Sequence, residues 1–381
     1  MTTADILSML VAFPTVSTMP TIDIATWIGD FLKERGAQVE IIRGEEEGKA
    51  ALYGRLGPDI QGGVMMAGHL DVVPVEGQHW QSDPYQLTER DSKLYGRGAC
   101  DMKGFIAAIL SLVQRIDAAH LKKPLHIALT YDEEITMEGA IKLCAWMKEH
   151  AVKPDWIWLG EPTEMEVVTA HKGTGTFRTT ITGAAAHSSL PAKGVSAIEQ
   201  GIKIGDWLMK KSEAYAAIPV VGSIFDPPYS SINIGIFNGG TAANIIAEKC
   251  TLEWLYRLHP NDDDEELITA YQKMIEESIR PVLAPFAHAS VKTDELTRIP
   301  PFQAPKNTHA EQFMIQRTGK GAPVAVSYAT EAGIYQSITP SVLICGPGSI
   351  GKAHQQDEYV SIDDLQQCDR MMDQCVEAFL A

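Results

Sequence analysis

Short apolar runs alternate with helical patterns at both ends of this chain, and a differently ordered block interrupts them in the middle. Residues 38–42 alternate with a period of two, and 63–68, 125–130 and 156–159 are apolar runs bounded by turn residues. Helical patterns lie among them: 3–13 with Thr3 as its cap, a stretch around 26–32 that Gly36 can close, 104–116 and 138–150. This order predicts an α/β fold with a mixed, largely parallel sheet and helices on both faces. After Gly173 the order becomes strand 175–182, helix 195–211, strands 230–237 and 249–258, helix 264–282 and strand 289–296. That β-α-β-β-α-β sequence is the split, ferredoxin-like α+β arrangement. Proline-rich 299–302 reads as a return linker, and 324–328 and 341–345 resume the first pattern. The expected domains are therefore 1–174 with 298–381, and an inserted unit over 175–297.

A chain of 381 residues suits two to three domains at about 150 residues each. Asp plus Glu number 49 against 32 Lys plus Arg, and the resulting charge of −17 would repel a phosphate backbone, which argues against nucleic-acid binding. The six cysteines include no C-x-x-C pair, so neither a zinc knuckle nor a dithiol motif is expected, and free thiols of a cytoplasmic protein are. The apolar run 6–13 is broken by Ser8, preceded by Asp5 and ended by Pro14, unlike a secretory signal. No stretch reaches the roughly 18 apolar residues that a membrane helix needs.

Residues able to ligate a metal cluster just past strand ends, the edge where open α/β sheets bind ligands. In Gly68-His69-Leu70-Asp71 the period of two puts both polar side chains on one side, so Asp71 could hold the second nitrogen of a metal-binding His69; a capped strand end with a satisfied histidine is the plainer reading. Asp101, in Gly96-Arg97-Gly98-Ala99-Cys100-Asp101-Met102-Lys103-Gly104, can cap a helix or bridge two cations. Cys100 has no identifiable partner base. Asp132, Glu133 and Glu134 follow an apolar run, where three carboxylates are costly to collect without cations or solvent. Glu161 ends another strand, and His354 lies in a loop near the C-terminus. Together His, Asp, Glu, Glu and His could hold two divalent cations, and a further glutamate left unliganded would complete a hydrolytic site.

At these strings, and at Gly160-Glu161-Pro162-Thr163, Ala186-His187-Ser188 and Ala353-His354-Gln355, the sequence resembles the co-catalytic di-zinc peptidase/deacylase family over essentially its whole length. The resemblance implies that His69 and Glu161 hold one metal, Glu134 and His354 the other, and that Asp101 bridges them. It makes Glu133 the general base, with Asp71 supporting the site from behind its ligands. It also implies a homodimer formed through the inserted domain, whose His187 would reach the partner's site and support an oxyanion. Asn244 and Arg257 resemble substrate-binding residues. Zinc is the expected metal, with cobalt or manganese as alternatives.

Within the family, Ala170-His171-Lys172-Gly173 and Ala329-Thr330-Glu331-Ala332-Gly333 are most similar to the deacetylases acting on N-acetylornithine. The expected reaction is removal of that acetyl group, a step toward arginine. Succinyl-diaminopimelate desuccinylase, aminoacylase and dipeptidase chemistry are the alternatives on this scaffold, and a non-catalytic binding relative is a further one. An acetylated ornithine carries a carboxylate and a side-chain amine. Arg257 suits the first and Glu331 the second, unless Glu331 serves only as a helix start.

Overall fold

The computed structural model describes all 381 residues, Met1–Ala381. They form two compact units: Met1–Ala170 with Phe302–Ala325 and Thr330–Ala381, and His171–Pro301 with Val326–Ala329.

The first unit is built on a nine-stranded mixed sheet. Leu125–Thr130, Val64–His69, Trp156–Leu159 and Val342–Ile344 lie side by side in that order, all parallel, while Gln38–Arg43 and Ala50–Leu56 extend one edge antiparallel. Every residue of Val64–His69 and Leu125–Thr130 is buried, as strands covered on both faces must be. Adjacent residues of Ala50–Leu56 show the two coverings. Gly54 faces Leu32 of the helix Ile22–Lys33, whereas Tyr53 packs its ring 5.0 Å from Trp146 of the helix Glu138–Glu149.

The first helix, Thr3–Val11, is capped by Thr2 and not by Thr3. The Thr2 hydroxyl accepts from the Asp5 amide and the Asp5 carboxylate accepts from the Thr2 amide, a reciprocal pair that releases Thr3 to donate to Asp369 at 2.6 Å. A closing helix, Ile362–Phe379, packs against the helix Lys103–Arg115. No helix is long and apolar enough to cross a membrane.

The second unit is an antiparallel sheet in the order Ser231–Gly239, Lys249–Leu258, Gly173–Thr182, Ser290–Ile299. With the helices Ala197–Ala216 and Asp264–Met274 between strands, this is the ferredoxin-like order read from the sequence. Burial alternates along Gly173–Thr182 and Lys249–Leu258, so one face carries the core, where Phe177 stacks on Trp254 at 4.5 Å. Thr174 pairs with Ile299, so the chain enters and leaves this unit on neighbouring strands.

Candidate metal centre

Three adjacent parallel strands deliver most of the site. Their C-terminal ends run into His69, into Tyr131-Asp132-Glu133-Glu134 and into Gly160-Glu161, along the sheet edge where ligands bind in such folds. Asp101 comes from the loop before Lys103–Arg115, and His354 from the segment between Val342–Ile344 and Tyr359–Ser361. Gly160 is needed at its turn, because a Cβ there would lie 2.0 Å from the Phe105 ring.

Two ligand groups result. The ligand atoms of His69, Asp101 and Glu161 lie within 4.8 Å of one another, as do those of Asp101, Glu134 and His354. Asp101 belongs to both groups and Glu133 to neither. His69 Nε2 stands 3.0 Å from Asp101 Oδ1, and His354 Nε2 stands 3.0 Å from Glu134 Oε2 and 3.4 Å from Asp101 Oδ2.

The electrostatics are those of crowded acids. Burial, and then the Glu161 charge, push the Glu133 carboxyl well above its usual range; burial and Asp101 do the same to Glu161. Burial works against a charged His69, yet the Asp101 hydrogen bond and the Glu133 and Glu161 carboxylates overcome it and hold its pKa well above the usual value. Hydrogen bonds that the imidazole donates to the Asp101 and Glu134 carboxylates raise the His354 pKa to about 10.

Cations fit this arrangement. Glu161 Oε1 is buried without a hydrogen-bond partner, a cost that a bound ion removes. His69 Nδ1 donates to the Asp71 carbonyl at 3.0 Å, which fixes the tautomer and presents Nε2 as the ligand atom. Carboxylate and imidazole donors together suit divalent transition metals.

The structure corrects one assignment and adds a supporting layer. Asp71 holds His69 through its backbone carbonyl; its carboxylate Oδ1 is 3.8 Å from Nδ1 and accepts instead from the Glu133 amide at 3.1 Å. Its Oδ2 accepts from the Glu134 amide at 3.3 Å and from Ser17 Oγ at 2.7 Å. Lys49, 3% exposed, donates to the Asp132 carboxylate and to the Ser17 carbonyl, tying the acidic loop to the first helix pair's connection. Buried Arg97 and Glu358 pair at 2.6 Å, and Glu358 Oε1 accepts from the Cys100 and Asp101 amides. Sequence reasoning missed Ser17, Lys49, Arg97 and Glu358 as site residues; Arg97, a charge between Gly96 and Gly98, carried a local signal, but its partner Glu358 carried none. Cys100 is no nucleophile: burial holds its thiol pKa well above the usual value, and Sγ donates to the Ser349 carbonyl.

Glu331 reaches the same sheet edge but is fully buried, with Oε1 accepting from Thr130 Oγ1 and Oε2 lacking a partner. Burial raises its carboxyl to about 7. This placement departs from the expected contact with a substrate amine, since the covering residues leave no carboxylate surface to read one. The short helix Ala332–Tyr335 does begin at the next residue, but the Glu331 side chain does not cap it.

Three expected residues lie in the second unit. His187 and Asn244 are exposed and adjacent: His187 bridges to Ile245, and the Ser188 amide donates to the Asn244 carbonyl at 3.0 Å. Arg257, opposite Thr174, sits toward the other end of a strand whose first residue, Lys249, pairs with Thr182. Eight residues of strand, about 27 Å, separate those positions.

A model of peptidase family M20/M25/M40 matches residues 65–378. The chain is 39% identical over 326 residues to an acetylornithine deacetylase of Yersinia pseudotuberculosis, covering 84% of this chain and 79% of that one. It is 36% identical over 371 residues to an acetylornithine deacetylase of Shigella sonnei, covering 93% and 92%. Among solved structures, an M20 family metallo-carboxypeptidase of Sulfolobus solfataricus superposes with a TM-score of 0.76 at 17% identity, covering 98% of each chain. A dinuclear metal-binding M20 peptidase of Bacillus subtilis gives 0.65 at 15% identity, covering 99% and 97%.

Proposed function

This chain belongs to peptidase family M20/M25/M40 and is a metal-dependent hydrolase, and from that premise we propose that it deacetylates N-acetylornithine, releasing ornithine and acetate for arginine synthesis. The observation that carries the chemistry is the pair of ligand groups sharing Asp101, with Glu133 beside them and outside both. The identity with two acetylornithine deacetylases supports the substrate.

In this reading His69 and Glu161 hold one cation, Glu134 and His354 the second, and Asp101 serves both. Two divalent cations, zinc foremost and cobalt or manganese as alternatives, supply polarisation of the amide carbonyl and acidification of water. Glu133 takes the proton of the attacking water and returns it to the leaving amine nitrogen. The Asp71 carboxylate, by gripping the Glu133 and Glu134 amides, fixes the loop that carries both base and ligand.

The inserted unit supplies the rest as a homodimer. Ser231–Gly239 is an edge strand with Ile236 and Phe237 exposed, and the helix Ala197–Ala216 exposes Ile202 and Met209, an apolar surface that a second copy would cover. His187 Nδ1 accepts from the Ser189 amide, leaving a proton on Nε2 for a developing oxyanion, an interaction typically worth about 2.7–4 kcal/mol. Arg257 grips the substrate carboxylate with its planar fork. Arg257 stands eight strand residues, about 27 Å, from Lys249 at the other end of its strand, and in this reading Arg257 and the His187–Asn244 pair serve a substrate shared between two chains. The six buried, unpaired cysteines suit a cytoplasmic setting.

The test is a substrate panel. N-acetylornithine, N-succinyl-diaminopimelate, N-acetylmethionine and a dipeptide are compared by kcat/KM, with and without chelator. N-acetylornithine should lead by at least tenfold, about 1.4 kcal/mol, and chelator should abolish turnover. A lead by any other substrate replaces the assignment.

A further inference from the structure

We propose that Arg97 is a positioning residue that, with Gln78 and Glu358, sets the affinity of the second cation group by holding the segment that carries His354; the proposal rests on the two-cation reading above. His354 stands in irregular chain between two short strands, with a left-handed φ of +62° and a side chain 48% exposed. No regular element fixes it, so its aim depends on what grips the backbone around it.

Two such grips are present, and one guanidinium joins them. The His354 carbonyl accepts from Gln78 Nε2 at 2.9 Å, and the following carbonyl, of Gln355, accepts from Arg97 Nη1 at 3.3 Å. Arg97 Nη2 donates to Gln78 Oε1 at 2.6 Å and to the Pro74 carbonyl at 3.2 Å. On its other side Arg97 Nη1 meets Glu358 Oε2 at 2.6 Å, and Glu358 Oε1 accepts from the Asp101 amide at 3.0 Å. The backbones of His354 and Asp101, two of the three ligands of the second group, are thus linked through one buried side chain, since Arg97 meets both Gln78, which grips the His354 carbonyl, and Glu358, which accepts from the Asp101 amide. Only a planar fork with several fixed donors can reach all these acceptors; an ammonium keeps the charge opposite Glu358 but not the span. The other ligands are held independently: Glu134 by Asp71, and His69 and Glu161 at strand ends.

The experiment titrates the metal-free full-length protein with Zn²⁺ against a chromophoric chelator, for wild type, Arg97→Lys and Gln78→Ala. Wild type should take up two equivalents. Arg97→Lys should hold the first within about threefold and lose about 10–100-fold on the second, the usual cost of an outer partner of a metal ligand. Far-UV circular dichroism and Tm should stay near wild type, and raising Zn²⁺ should restore kcat. Gln78→Ala, which removes the grip on the His354 carbonyl and the oxygen that accepts from Arg97 Nη2 and Trp80 Nε1 but keeps the Arg97 bonds to Gln355 and Glu358, should move the second equivalent in the same direction by less, and decides the matter if Arg97→Lys fails to fold. Equal weakening of both equivalents, or of neither, in folded variants overturns the proposal. A wild type that binds fewer than two equivalents overturns the two-cation reading and this inference with it.

Discussion

His69 anchors its Nδ1 on the backbone carbonyl of Asp71 at 3.0 Å, while the Asp71 carboxylate, 3.8 Å from that nitrogen, takes the amides of Glu133 and Glu134. The metal-facing imidazole is therefore set by main chain, and the carboxylate is left to shape the acidic loop.

Glu133→Gln should keep the metals and lose turnover, because an amide cannot accept the water's proton while Glu134 still ligates. A fall of at least about 10²-fold in kcat is expected, with metal content measured on the same sample. Near-normal turnover at full metal content would show that another group is the base.

Glu161→Gln should raise the Tm of the metal-free protein and lower the affinity for the first cation. Burial and the Asp101 charge oppose ionisation of this carboxyl, which an unfolded chain would ionise freely, so replacing it by an amide removes a buried acid that disfavours the metal-free fold. Differential scanning fluorimetry with and without Zn²⁺ reads both effects. A metal-free variant no more stable than wild type would contradict the crowding argument.

Mixing two inactive variants tests the shared site. His187→Ala and Glu133→Gln homodimers, each inactive, should recover about a quarter of wild-type activity after subunit exchange, since half the dimers are mixed and each then holds one intact site. No recovery despite demonstrated exchange would place His187 in its own subunit's chemistry or outside it.

His126 should make stability depend on pH. It is buried, with Nε2 donating to the Gly62 carbonyl at 3.0 Å and Nδ1 accepting from the Tyr53 hydroxyl at 2.6 Å, and burial holds its pKa below the usual 6.5. The unfolded chain therefore takes up this proton before the folded one does, so the contribution is full above 6.5 and shrinks as pH falls below it. The Tm gap between wild type and His126→Gln should narrow between pH 7.5 and 5.5, values chosen to bracket the ordinary histidine pKa of about 6.5. A constant gap would mean that the imidazole titrates alike in both states.

Glu331→Gln should cost N-acetylornithine and N-acetylmethionine alike, because the carboxyl is bonded to Thr130 and covered. Comparing kcat/KM on the two substrates decides it. A loss confined to the ornithine substrate would restore Glu331 as the reader of the amine.

What the sequence made legible were residues whose chemistry is out of place where they stand. Carboxylates and imidazoles at the ends of apolar runs could be gathered at one sheet edge by topology alone, and His69, Asp101, Glu134, Glu161 and His354 do converge there. The supporting partners were illegible because the pairing is purely spatial: Lys49 meets Asp132 across 83 residues, and Arg97 meets Glu358 across 261. The strand Ala50–Leu56 escaped notice for a different reason, because Gly54 and Arg55 break its apolar run and it shows no period of two. The inserted block was the clearest, because its half-buried strands alternate.

Thr174 and Ile299, paired across neighbouring strands, mark where the chain departs for the inserted unit and where it returns. For the host sheet, His171–Pro301 behaves during folding as a long loop whose ends must be brought together. Once the insert has its own core, those ends already stand at strand spacing, and the effective loop shrinks from over a hundred residues to a few. Some five halvings of loop length, at about 0.6 kcal/mol each, remove about 3 kcal/mol of closure entropy from the host's assembly. The insert thus templates the domain it interrupts, and a variant that unravels it should slow refolding of a parallel sheet none of whose residues has changed.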